Sequence, residues 1–234
     1  MWSLGERWSY AGTVWGPGPP ENFTAKVTVI ELSAADARIR AEISYGFGTV
    51  VQDTLVALPS FRVVAFNSSF PSGIRFRFEY GPPLELFSFP LTAGKTWSSA
   101  SNFTYSYRTL PLAKVSTPAG IFDAFPVEQS AMGIPFITLE LIVPGLGHAV
   151  MYYASDVGQM VRYEAFDLRN ALVAEFSITE FMIPSGSAPS AVHPGIDPAV
   201  GIVSALLVGA IGASTVQILR TVNIARASGR RGRA

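Results

Sequence analysis

The chain has 234 residues, 49% of them hydrophobic and only 15% charged, with no cysteine. This length allows one domain or one domain with an appendage, and the apolar content excludes a disordered chain. The missing thiols exclude disulfides, zinc–thiolate sites, iron–sulfur clusters and a cysteine nucleophile, and two histidines supply little for metal chemistry.

The zero net charge conceals a split. Arg220, Arg226, Arg230, Arg231 and Arg233 lie in the last 15 residues with no acid among them. Residues 1–198 then hold 12 basic and 17 acidic side chains. A mean hydropathy of +0.32 already points to a membrane segment.

Residues 1–20 contain no basic start and no apolar run of signal-peptide length. Export of the body then requires a signal removed from this sequence or lying upstream. The alternative is post-translational insertion from the C-terminus. Alternation over 37–45 sets Ala37, Ile39, Ala41, Ile43 and Tyr45 on one face against Arg38, Arg40, Glu42 and Ser44 on the other. Residues 74–80 repeat it, with Ile74, Phe76, Phe78 and Tyr80 against Arg75, Arg77 and Glu79. A period of two predicts strands with one buried and one wet face. Further strands are expected at 23–32, 49–58, 61–67, 84–89, 111–117, 134–143, 148–154, 160–166 and 172–182, separated by Gly/Pro turns. Ser33–Asp36 fits a helix cap, but the alternation after it favours a turn leading into a strand. The expected class is all-β: a curved antiparallel meander forming a half-barrel, barrel or sandwich.

A faint repeat pairs Gly5-Glu-Arg-Trp8-Ser9 with Gly94-Lys-Thr-Trp97-Ser98, each followed by Asn-Phe-Thr. Two related halves, about 1–90 and 91–183, would together form a β-domain over 1–183. Residues 184–198, PSGSAPSAVHPGIDP, read as a stalk. Extended, it would reach roughly 45 Å. Residues 199–219 carry no charge and would span roughly 30 Å as a helix, the thickness of a bilayer core. This predicts a C-terminal transmembrane helix, with the basic tail 220–234 cytoplasmic and the body extracytoplasmic. Ala205, Gly209 and Ala213 make a small-residue stripe for packing against a second such helix, in a homo- or hetero-oligomer.

Three of five asparagines, Asn22, Asn67 and Asn102, begin Asn-x-Ser/Thr sequons and are candidate glycosylation sites in an exported body. No Gly-x-Ser-x-Gly, P-loop, Gly-x-Gly-x-x-Gly or His-Glu-x-x-His occurs. His148 is the one histidine placed to act as a base or ligand; His193 falls in the stalk. Glu140, Glu164, Glu175 and Glu180 sit on wet strand faces, where two could meet as a hydrolase pair. Arg38, Arg40, Arg75 and Arg77 form a basic strip expected to pair with Glu42 and Glu79. An acidic, exported body does not suit nucleic acid. Phe76, Phe78, Tyr80, Phe103, Tyr105 and Tyr107 alternate along strands, and either line an apolar pocket or fill the interior.

Three stretches carry a resemblance. Leu91-Thr-Ala-Gly94-Lys-Thr-Trp97, Thr117-Pro-Ala-Gly120-Ile-Phe122-Asp-Ala-Phe125 and Tyr152-Tyr-Ala-Ser-Asp-Val157-Gly158-Gln-Met-Val161-Arg162 resemble motifs of a TapB-like group of extracytoplasmic β-domains. That group is similar to Lol-type curved-sheet half-barrels. The resemblance covers about 91–183 and implies a curved sheet with a concave apolar side. It implies no catalytic residue, cofactor or metal. The expectation is a non-enzymatic, membrane-anchored surface domain that binds an apolar ligand, a lipid or an envelope protein. Its competitors are a structural accessory subunit of a membrane complex and an envelope-polymer hydrolase.

Overall fold

The computed structural model describes residues 2–15, 19–101, 104–132 and 146–184. The stalk, the apolar run 199–219 with Ala205, Gly209 and Ala213, the basic tail, the expected strand 134–143, Asn102 and Phe103 lie outside them. The described residues hold strands and turns only, and none of their segments is a helix long and apolar enough to cross a membrane.

The strands are β1 (Arg7–Val14), β2 (Glu21–Leu32), β3 (Asp36–Tyr45), β4 (Gly48–Ala57), β5 (Arg62–Ser69), β6 (Arg75–Leu84), β7 (Thr96–Ala100), β8 (Thr104–Thr109), β9 (Ala113–Thr117), β10 (Gly120–Met132), β11 (Leu146–Ala154), β12 (Gln159–Asp167) and β13 (Leu172–Met182). All pairings are antiparallel, in one sheet of order β6-β5-β4-β3-β2-β1-β13-β12-β11-β10-β8-β7, with β9 beside β10. The sheet curves into a nearly closed barrel. It is two six-strand meanders, β1–β6 and β7–β13 without β9, laid end to end.

The two meanders begin alike. Gly5 N–H donates to Val29 O at 2.9 Å, Val29 N–H to Glu6 O at 3.0 Å and Glu6 N–H to Ser3 O at 3.1 Å. Gly94 N–H donates to Thr109 O at 2.8 Å, Thr109 N–H to Lys95 O at 2.9 Å and Lys95 N–H to Thr92 O at 3.0 Å. Gly5 and Gly94 take φ of 81° and 82°, a left-handed turn that suits glycine.

The interior follows from the alternation. Ala37, Ile39, Ala41 and Ile43 on β3 are buried, as are Val27 and Val29 on β2, Val56 on β4 and Val63 on β5, in one contiguous core. An aromatic file crosses the sheet: Tyr163 to Phe176 at 5.0 Å, Phe176 to Tyr10 at 5.7 Å and to Phe23 at 6.0 Å, Phe23 to Tyr45 at 5.6 Å. Gly12 lies opposite both Phe23 and Phe176. A Cβ there would stand 2.5 Å from Phe176 Cβ and 2.7 Å from Phe23 Cζ, so the two rings occupy the space a side chain would need.

Ser33 makes the expected turn: its Oγ accepts from Ala35 N–H at 3.1 Å and Asp36 N–H at 3.0 Å, and β3 starts at Asp36. The expected strand 84–89 is corrected. β6 ends at Leu84, and Leu86 and Phe87 turn into the core without a ladder. Lys95 Nζ holds this segment by donating to the Ser88 and Pro90 carbonyls.

Candidate functional site

The two ends of the meanders meet differently. β1 and β13 pair over eight residues, from Arg7↔Met182 to Val14↔Ala174. β6 and β7 form no ladder. Pro82 and Pro83 on β6 have no N–H to offer, and β7 is only five residues long. Hydroxyls take over at this seam: Ser99 Oγ accepts from Glu85 N–H at 2.9 Å, and Ser101 Oγ donates to Pro82 O at 2.6 Å.

The seam is lined by the aromatics singled out from the sequence. Phe76 and Phe78 stand opposite Ser68 and Phe66, two buried residues of β5, so they share the sheet's interior face. Phe66 contacts Phe76 at 5.9 Å and Phe78 at 5.7 Å, and Phe78 meets Tyr80 edge-on at 5.0 Å. Exposure climbs along this row: 9% at Tyr80, 40% at Phe76 and 53% at Ile74. Across the seam, Trp97 stacks on Tyr107 at 5.1 Å, and Tyr105 and Tyr107 are buried. Burial pushes the Tyr80 and Tyr107 hydroxyls well above the ordinary phenol range and Tyr105 up to about 12. Trp97 Nε1, Tyr107 Oη and Thr109 Oγ1 are buried without a hydrogen-bond partner. The structure thus brings Phe76, Phe78, Tyr80, Tyr105 and Tyr107 around one seam. It adds Phe66, Trp97 and Thr109, which the alternating pattern alone did not single out.

A second cluster lies on the wet face. Glu164 and Glu175 are directly opposite each other on β12 and β13. Arg162 bridges them, with Nη2 at 2.7 Å from Glu164 and 3.6 Å from Glu175. Tyr152 Oη donates to Glu164 Oε2 at 2.8 Å. Burial, that bond and the Glu164 charge push the Tyr152 hydroxyl up to about 12, with Arg162 opposing. Arg162 and Glu175 border an open groove of about 590 Å³, whose floor is Thr13, Asn22, Thr24 and Ser44. Two of the four sequence-read carboxylates therefore do meet, but with one guanidinium shared between them. Glu180 lies apart, opposite Ser9, and Glu140 is outside the described residues.

His148 stacks on Phe166 at 4.7 Å. Asn22 and Asn67 are exposed, and Asn22 Oδ1 accepts from Thr13 Oγ1 at 2.9 Å. The arginine strip pairs only in part as expected: Arg77 meets Glu79, though along β6 and not across strands, while Arg40 takes Asp53 in a two-bond fork at 2.7 and 2.9 Å and Arg38 takes Glu31 at 3.0 Å. Register sets this: Asp53 lies directly opposite Arg40 on β4, while Glu42 is two places along β3. Among the described residues no His/Asp/Glu cluster is arranged to hold a metal.

No protein-family model matches the chain, and no curated protein does. Several solved structures align with it at low identity. A Parabacteroides distasonis protein, provisionally described as a lipoprotein, aligns over 77% of this chain and 96% of its own at 16% identity and a TM-score of 0.42. A provisionally exported Bacteroides fragilis protein with a YmcC-like fold aligns over 77% and 97% at 14% identity and a TM-score of 0.41. A Vibrio parahaemolyticus domain, provisionally of the outer membrane lipoprotein-sorting kind, aligns over 80% and 88% at 10% identity and a TM-score of 0.36. None of the three is described as TapB-like, so that finer label stays with the sequence motifs alone.

Proposed function

We propose that the protein is a non-enzymatic β-domain, held on the outer side of a membrane, that binds an apolar ligand or lipid at the seam between β6 and β7. One observation carries this reading. Ile74 and the interior-facing Phe76, Phe78 and Tyr80 grade from exposed to buried beside a junction without a ladder. Such a row gives an acyl chain a continuous apolar path from water to core. The buried, unpartnered Trp97 N–H and Tyr107 O–H suit an acceptor group at the ligand's polar end. The membrane setting rests on the uncharged run 199–219 and the five arginines after it. Binding without turnover is favoured by the Arg162 bridge, since the guanidinium sits between Glu164 and Glu175, where a hydrolase pair would need its substrate bond.

The test is photo-crosslinking of the full chain with a diazirine-bearing fatty acid, followed by peptide mapping. The label should fall within residues 74–80 and be lost in Phe76→Glu, with circular dichroism checking that the variant is folded. Label scattered over the surface, or unaffected by the substitution, contradicts the reading.

A further inference from the structure

The end of the barrel away from the Ile74 turn carries a second set of exposed apolar side chains. β13 finishes there, and Phe181, Met182 and Ile183 are all exposed, Met182 at 51%. The Ser3–Gly5 turn lies beside them: a Cβ built on Gly5 would sit 3.9 Å from Pro184 Cγ, and Leu4 is exposed. The β9–β10 hairpin joins the rim. Ala119 N–H donates to Ile178 O at 3.3 Å, Phe122 meets Phe181 edge-on at 6.3 Å, and Ile121 is 72% exposed.

This set is a rim, not a face. Successive strand residues point to opposite sides of a sheet, so Phe181, Met182 and Ile183 cannot all lie under one flat partner. A fluid apolar phase entered end-on covers them together. The rim is also where the described chain leaves the barrel, at Pro184, with fourteen residues between it and the uncharged run that starts at Ala199.

From this geometry we infer that the Leu4–Ile121–Phe181–Ile183 rim dips into the surface of the lipid bilayer that holds the chain. The inference rests on the membrane setting proposed above and adds an orientation to it. Each apolar side chain removed from water at the interface would strengthen the anchor proposed for the uncharged run 199–219. The turns at 70–74 and 168–171, at the other end, then face away from that bilayer. The aromatic seam accordingly opens toward whatever lies farther out, not toward the membrane on which the body stands.

The chain has no cysteine, so single labelling sites are easily introduced. Bimane would be attached to Ile121→Cys and Met182→Cys, and to Leu168→Cys at the far end. The full-length variants would be held in phosphatidylcholine–phosphatidylglycerol nanodiscs. Lipids brominated in their acyl chains should remove most of the emission at 121 and 182 and leave 168 unchanged, while aqueous iodide should do the reverse. If the chain is retained but iodide reaches 121 and 182 as readily as 168, the body stands clear of the bilayer and the inference fails. Shielding of 121 and 182 from both quenchers also overturns it and assigns the rim to a protein neighbour. A chain not retained in the discs removes the membrane setting itself. The crosslinking at 74–80 is read separately and can fail alone.

Discussion

The barrel has two junctions between its halves, and they are built to opposite specifications. At β1–β13, eight register pairs zip the strands, and Gly12 lets Phe23 and Phe176 close over the ladder. At β6–β7, prolines remove donors, a five-residue strand shortens the contact, and serine hydroxyls replace the ladder. The hydrogen bonds that start β1 recur at the start of β7, so the difference does not arise there. It arises in the strands that arrive: β13 bulges opposite Ser9–Tyr10 but keeps pairing with β1 and holds no proline, whereas β6 brings Gly81-Pro82-Pro83. A curved sheet can therefore be sealed on one side and left accessible on the other by a few residues of one edge strand.

The largest expected effect lies at the closed junction. Gly12→Ala places a methyl 2.4 Å from Glu175 O, between two rings that cannot move apart without opening the ladder. Overpacking of this kind should cost about 3 kcal/mol, read from urea unfolding. High pH comes next. Burial pushes Tyr105 up to about 12, while an unfolded tyrosine titrates near 10.0. The unfolded chain gives up its proton first, so stability falls as pH rises from 10.0 toward about 12. Tyr105 alone contributes a loss on the order of 2 kcal/mol over that window, so Tyr105→Phe should reduce the slope. Ser99→Ala acts on the open junction. It removes the acceptor for Glu85 N–H and should cost about 1 kcal/mol, with faster exchange of the Glu85 amide. The smallest stability change belongs to Phe76→Ser, below about 1 kcal/mol because the ring is already 40% exposed. That variant should nevertheless take up far less fatty-acid crosslinker, which separates a binding role from a packing role.

Much of the sheet was legible in the amino-acid pattern. Period two over 37–45 and 74–80 placed β3 and the aromatic row of β6, because one side of each strand is wet. The run 84–89 misled for a physical reason: apolar content marks burial, and Leu86 and Phe87 are buried without a ladder. β1 was overlooked because Gly12 interrupts its Trp8, Tyr10, Val14 row. β10 was hidden by Pro126. That proline falls where the strand changes partners, with β9 pairing ending at Ala124 and β8 pairing beginning at Val127, so its missing N–H breaks no ladder. Its carbonyl still accepts from Leu110 N–H at 2.8 Å. The site was less legible. The aromatic residues could be named, but their meeting depends on barrel closure, which brings β6 and β7 together from opposite ends of the sheet. The Arg162 bridge likewise needs the β12–β13 register, which places Glu164 opposite Glu175.

Amide hydrogen exchange, resolved by peptide and run on the full chain, tests the contrast between the junctions most directly. Amides of β1 and β13 should exchange only through global unfolding, while those of β6 and β7 should exchange orders of magnitude faster. Equal protection at both junctions would mean that the barrel is sealed all round, and would contradict an accessible seam.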